Sequence, residues 1–176
     1  IAQTRPFSSL LDNPFLQAYE MLNKSNRNGV IGNISATYNF TKDLSLLVRS
    51  SMDFATEARS QQRPFNTQKF AEGMFRTQNI FTQEINSDFL VRYNREIGTK
   101  ITSNYSFGGS RMNNRYNRDE LRADKLLYPG IFNFANSKNI PVAYPYRSEY
   151  AVNSLYGMLQ FAYDNFLFLD VTGRND

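Results

Sequence analysis

Phe81–Gly109 reads FTQEINSDFLVRYNREIGTKITSNYSFGG, and its alternation decides the fold. Phe81, Gln83, Ile85, Ser87, Phe89, Val91 and Tyr93 share one side of an extended chain. Thr82, Glu84, Asn86, Asp88 and Arg92 share the other, with Leu90 the one misplaced apolar residue. A polar turn follows, Asn94-Arg95-Glu96-Ile97-Gly98, whose glycine can take positive φ. Ile101, Tyr105 and Phe107 then alternate with Lys100, Thr102, Asn104 and Ser106. A period of two marks a strand with one apolar and one polar face. Phe81, Ile85 and Phe89 are also spaced by four, as in a helix. Elsewhere the step is two: Ile34, Ala36, Tyr38, Phe40; Leu44, Leu46, Val48; Leu167, Leu169, Val171. A helix would scatter those sets around its axis.

Aromatic residues make up 15% of the chain, through 15 Phe and 11 Tyr, yet mean hydropathy is −0.53. No run of about 18 apolar residues is present, which removes a transmembrane helix but not a barrel strand, whose hydropathy averages to a modest value. Cysteine and histidine are both absent. That excludes disulfides, thiolate zinc sites, and catalysis by either side chain. A net charge of +4 is mild and does not require nucleic acid. The 176 residues suffice for one domain. The start at Ile1 has no basic, apolar leader, and Asp176 ends a strand-like stretch. Both lead us to expect an internal piece of a longer protein.

Taken in order, residues 1–11 read as loop, and Asn13-Pro14 can start a short helix with Asn13 as N-cap. Six strands follow. Val30–Phe40 and Leu44–Phe54 flank the turn Thr41-Lys42-Asp43; the central hairpin comes next; Tyr150–Tyr163 and Phe166–Asp176 flank Asp164-Asn165. Residues 55–76 and 110–149 show no sustained period and read as two long loops. Loops of that length are uncommon in compact soluble domains. Short turns alternating with long loops are the layout of an outer-membrane barrel, in which long loops are extracellular. The expected fold is therefore all-β: about six strands of an antiparallel up-and-down transmembrane β-barrel. The pattern alone leaves open a soluble sandwich that uses the same aromatics as its core.

The last hairpin narrows the choice. Asn153-Ser154-Leu155-Tyr156-Gly157 and Phe168-Leu169-Asp170-Val171-Thr172-Gly173-Arg174-Asn175-Asp176 resemble the SusC/RagA family of TonB-linked outer-membrane transporters of Bacteroidetes. Asn13-Pro14-Phe15, Arg27–Asn33, Gly108-Gly109 and Leu127-Tyr128-Pro129-Gly130 with Phe132 are also similar to that family. Arg49–Asp53 is similar to a lumen-facing strand, although the family usually has glycine near Ser51.

The resemblance implies that residues 1–176 are part of a TonB-dependent receptor barrel, without plug, TonB box or C-terminal strand. It implies import of oligosaccharides or peptides across the Gram-negative outer membrane. It also implies contact with membrane lipid, a SusD-like lipoprotein partner, and coupling to the TonB complex through missing parts of the chain. Alternatives are a siderophore-type receptor and a soluble extracellular glycan-binding β-domain.

Glu84 and Asp88 share a strand face, but four residues separate them by roughly 13 Å. Glycosidase carboxylates sit roughly 5–9.5 Å apart, so the pair does not suggest an enzyme. Asp119, Glu120 and Asp124 lack the ligand spacing and glycine turn of a calcium loop. No metal or other cofactor is expected, and the acids among the loop arginines argue against nucleic acid. The polar strand faces offer lumen-facing Arg49, Asp53, Glu84, Asp88, Arg92, Asp170 and Arg174. Within the long loops, Phe65, Phe70, Tyr116, Tyr144 and Tyr146 are the candidates for stacking on a sugar ring or peptide side chain.

Overall fold

The computed structural model describes residues 11–164 and 166–176. The loop expected over residues 1–10, and the Asn165 half of the last turn, lie outside them. The chain starts with α1 (Pro14–Tyr19), capped as the sequence predicts: Asn13 Oδ1 accepts the Phe15 amide at 2.8 Å. Seven strands follow: β1 (Asn23–Asn39), β2 (Leu44–Arg63), β3 (Met74–Ile97), β4 (Ile101–Ala123), β5 (Val142–Ala143), β6 (Tyr146–Tyr163) and β7 (Leu167–Asn175). All belong to one sheet, in the order β1-β2-β3-β4-β6-β7. The two-residue β5 pairs with β4 through Leu121↔Ala143 and Arg122↔Val142. β6 and β7 are antiparallel, from Tyr163↔Leu167 to Leu155↔Asn175. The six expected strands are all present in an antiparallel, up-and-down arrangement that is not closed. Because all seven strands join a single sheet, the described residues build no two-sheet sandwich.

The strands are longer than hydropathy suggests. β2, β3 and β4 have 20, 24 and 23 residues. Much of what reads as long loop is therefore strand. Of residues 55–76, Ala55–Arg63 finishes β2 and residues 74–76 begin β3. Of residues 110–149, β4 takes 110–123 and β6 takes 146–149. These extensions are polar on both faces, so they carry no hydropathy period, whereas the backbone ladder needs none. The β3–β4 turn is also tighter than expected. β3 continues to Ile97, and Gly98 has φ +66°.

The chain divides into two compact units. Unit 1 comprises Ile1–Gly29, Ala55–Thr82 and Tyr116–Ser148; unit 2 comprises Val30–Phe54, Gln83–Arg115 and Glu149–Asp176. Unit 1 has a small core of Leu16, Ala55, Met74, Ile80, Ala123 and Leu126. Its connections fold on one another. Lys125 and Lys138 reach the Glu72 carboxylate at 3.3 and 2.6 Å, Phe75 meets Phe134 at 5.0 Å, and Asn136 Nδ2 donates to the Tyr128 and Ile131 carbonyls. The two ammonium groups hold Glu72 below the ordinary carboxylate range, chiefly by hydrogen bonding from Lys138 and then Lys125.

Unit 2 buries no apolar residue among those described. Its apolar face carries Tyr38 against Phe40 at 4.8 Å, Phe89 against Phe107 at 6.2 Å, and Tyr105 against Phe161 at 5.7 Å. Ile34, Phe107, Leu155 and Leu169 on that face are 54–73% exposed. Ser50 and Ser87, hydroxyls among these apolar neighbours, hydrogen-bond each other at 3.0 Å.

Candidate functional site

Two groups of polar side chains stand out, one in each unit. In unit 2, period-two geometry places odd positions of β2 and even positions of β3, β4, β6 and β7 on the face opposite the aromatics. There Arg49 donates to Asp88 through Nε, at 3.2 and 3.0 Å, and through Nη2 at 2.8 Å. The same pairing appears as an ion pair in which Asp88 is half-buried. Glu84 accepts from Asn86 Nδ2 at 2.8 Å and from Asn114 Nδ2 at 3.3 Å. Arg174 donates to Asp176 at 2.8 Å and to Ser154 Oγ at 3.3 Å. The carboxylates of Glu84 and Asp88 are thus committed to different partners. Asp53, Arg92 and Asp170 are exposed, with no side-chain partner among the described residues.

Also in unit 2, β4 carries Gly108 and Gly109. Tyr156 of β6 lies over Gly108, where a Cβ would fall 2.6 Å from its ring. Phe89 of β3 and Leu155 of β6 meet over Gly109, at 2.9 and 3.0 Å from a notional Cβ.

In unit 1, even positions of β4 bring Tyr116, Arg118, Glu120 and Arg122 into one row. Tyr116 meets Tyr146 edge-on at 5.8 Å. Arg118 lies over the Tyr146 ring at 5.7 Å, and Arg122 over Tyr144 at 5.1 Å. Arg122 also pairs with Asp124 at 2.7 Å and donates to the Tyr144 hydroxyl at 3.2 Å. Burial works against the Arg122 charge, but Asp124 outweighs it and raises the guanidinium above its usual value. Glu120, buried, accepts from Gln78 Nε2 at 2.7 Å and lies 3.5 Å from Arg76. Arg59 grips Glu57 at 2.7 and 2.8 Å, and Ser25 donates to the same carboxylate. The hydrogen bond from Arg59, then that from Ser25, lowers Glu57 to about 2.

Of the five aromatic candidates, the structure brings together Tyr116, Tyr144 and Tyr146 around the two guanidiniums. Phe65 and Phe70 belong to the connection between β2 and β3, where Phe65 packs on Gly73. Among the described residues no ring contact joins either to the tyrosines. Asp119, Glu120 and Asp124 hold Arg147, Gln78 and Arg122 respectively, and no metal-type cluster occurs among the described residues. Sequence reasoning missed Arg118, Arg122 and Tyr156 as members of these groups. The two-step spacing of Tyr116, Arg118, Glu120 and Arg122 was the available signal.

An antiparallel up-and-down sheet, open at both edges and polar on one face of unit 2, is the fold of a β-barrel segment. Solved structures agree. The RagAB peptide transporter matches with a TM-score of 0.82 at 15% identity, over 93% of this chain and 19% of that one. The RagAB peptide importer in its open-open state gives 0.76 at 18% identity, over 94% and 19%. Its closed-closed state gives 0.67 at 18% identity, over 88% and 18%. The chain thus spans about a fifth of the length of these neighbours, and at such identity the likeness is one of fold. No family model and no curated protein matches the sequence.

Proposed function

We propose that this chain is part of the barrel wall of a SusC-like TonB-dependent outer-membrane transporter, with no catalytic role of its own. The observation that carries this reading is the uncovered apolar face of unit 2. A water-soluble protein rarely leaves so large a contiguous apolar patch exposed, whereas lipid is its natural solvent. The opposite face, with Arg49, Asp53, Glu84, Asp88, Arg92, Asp170 and Arg174, lines the wet interior. Even the Ser50–Ser87 hydrogen bond fits, since hydroxyls facing hydrocarbon must satisfy each other. Residues 55–76 and 110–149 belong to the extracellular side of such a barrel. There Phe65, Phe70, Tyr116, Tyr144 and Tyr146 are the ligand-contact candidates.

The solutes of this reading are oligosaccharides or peptides, delivered with a SusD-like lipoprotein partner and driven by the TonB complex. All three neighbouring structures are named as a peptide transporter or importer, which favours peptides. Fractionation of the parent cells tests it. Peptides from Phe81–Arg92 are expected in a heat-modifiable outer-membrane band several times larger than 20.4 kDa. Recovery in a soluble band near 20.4 kDa would overturn it.

A further inference from the structure

We propose that Arg118 anchors a carboxylate of the transported solute, an inference that rests on the transporter reading above. Along its row, the neighbouring guanidiniums are neutralised. Arg59 has Glu57 at 2.7 Å, Arg122 has Asp124 at 2.7 Å, and Arg76 has Glu120 at 3.5 Å. Arg118 has no acid and no hydrogen-bond acceptor for its guanidinium among the described residues. Its Nε, like those of Arg76 and Arg122, is buried without a hydrogen-bond partner, so the absent counter-ion is what sets Arg118 apart. Glu120, two residues along the same face, is already held by Gln78 and Arg76. The Arg118 Nη donors, neither buried nor bonded to the protein, are the ones an arriving acceptor can reach.

The geometry also selects the acceptor. Arg118 Cζ lies over the Tyr146 ring at 5.7 Å, and its outer nitrogens form a fork that suits a planar, two-oxygen group. A single uncompensated guanidinium matches a monoanion better than a phosphate dianion. Tyr116, packed on Tyr146 at 5.8 Å, adds an aromatic wall for the atoms beside the carboxylate. Such a group occurs at an oligopeptide C-terminus and in a uronic acid.

The test uses the full-length protein in detergent. It is incubated with a tryptic casein digest, with the same digest after carboxyl amidation, and with oligogalacturonate; retained ligands are eluted and quantified. The wild type should retain the free digest about tenfold better than the amidated one, and Arg118→Gln should lose that preference. Arg118→Lys should recover part of it, and Arg115→Gln should leave it intact. Retention of oligogalacturonate alone, with the same dependence on Arg118, would assign the carboxylate to a sugar acid. Measurable and equal retention of the free and amidated digests by the wild type, or retention of neither the digests nor oligogalacturonate, would overturn the proposal, and needs no variant; so would retention of oligogalacturonate unaffected by Arg118→Gln. Cell location is read separately, so that failure would leave the transporter reading standing.

Discussion

The ring of Tyr156 lies across Gly108, close enough that a Cβ built there would sit 2.6 Å from Tyr156 Cε2 and Cζ and 2.7 Å from the Phe89 carbonyl oxygen. One of these obstacles is a side chain that can turn away. The other is backbone of the neighbouring strand, which cannot.

Gly108→Ala should therefore destabilise the protein by about 1–3 kcal/mol, the usual range for overpacking. Tyr156→Ala in the same chain should restore only part of this, because the carbonyl contact remains. Heat-modified migration against temperature, in detergent, measures both variants. Full restoration by the second substitution would show that the backbone contact carries no strain.

In the Arg49–Asp88 pair Nε and Nη2 converge on Asp88 Oδ2 at 3.0 and 2.8 Å, and the Arg49 side chain is 54% exposed. Its coupling should be small, as is usual for exposed pairs. A double-mutant cycle with Arg49→Gln and Asp88→Asn checks this, and the coupling should fall as salt is added.

Glu57 supplies a pH signature. Its folded value of about 2 lies below the ordinary 4.5, so its stabilising contribution is complete above about 4.5. That contribution is lost as pH falls through the folded value. Glu57→Gln should remove this part of the acid dependence. Melting temperatures between pH 5 and pH 2, compared in the two proteins, should converge toward the acid end.

Lipid contact can be tested on β6. Leu159 faces out with the aromatics, whereas its neighbour Gln160 shares the opposite face with Tyr156 and Ser154. Leu159→Arg should cost about 2–4 kcal/mol if the position is near the bilayer midplane. Gln160→Arg should be tolerated. The amount of each variant assembled in the outer membrane provides the readout, and equal assembly would contradict a lipid-facing Leu159.

The apolar band is legible in the sequence because one face of each strand there must be apolar and the other polar. Leu155, Leu159, Phe161 and Tyr163 advertise β6, and Asn13-Pro14 advertises α1, through local chemistry that needs no distant partner. The outer parts of β2 and β4 are hidden for the opposite reason. Ser25, Glu57, Arg59, Tyr116 and Arg118 meet water or one another on their strands, so hydropathy does not alternate. Pairing of Arg49 with Asp88 is hidden too. It depends on the register of β2 against β3, and the connection between them is ten residues of turn without a repeating pattern, from Pro64 to Gly73.

The order β1-β2-β3-β4-β6-β7 has an even number of long strands, so its two edges run in opposite directions. If copies of this stretch were cut free, β7 of one would meet β1 of the next with the polarity an antiparallel ladder requires. Such a contact joins unlike surfaces, so it forms a ring only where the rotation between copies closes and otherwise extends. Each addition would regenerate the edge it consumed, so the expected product is an extending array rather than a dimer. The same two edges therefore have opposite consequences: in the barrel proposed above neighbouring strands silence them, and in isolation they propagate.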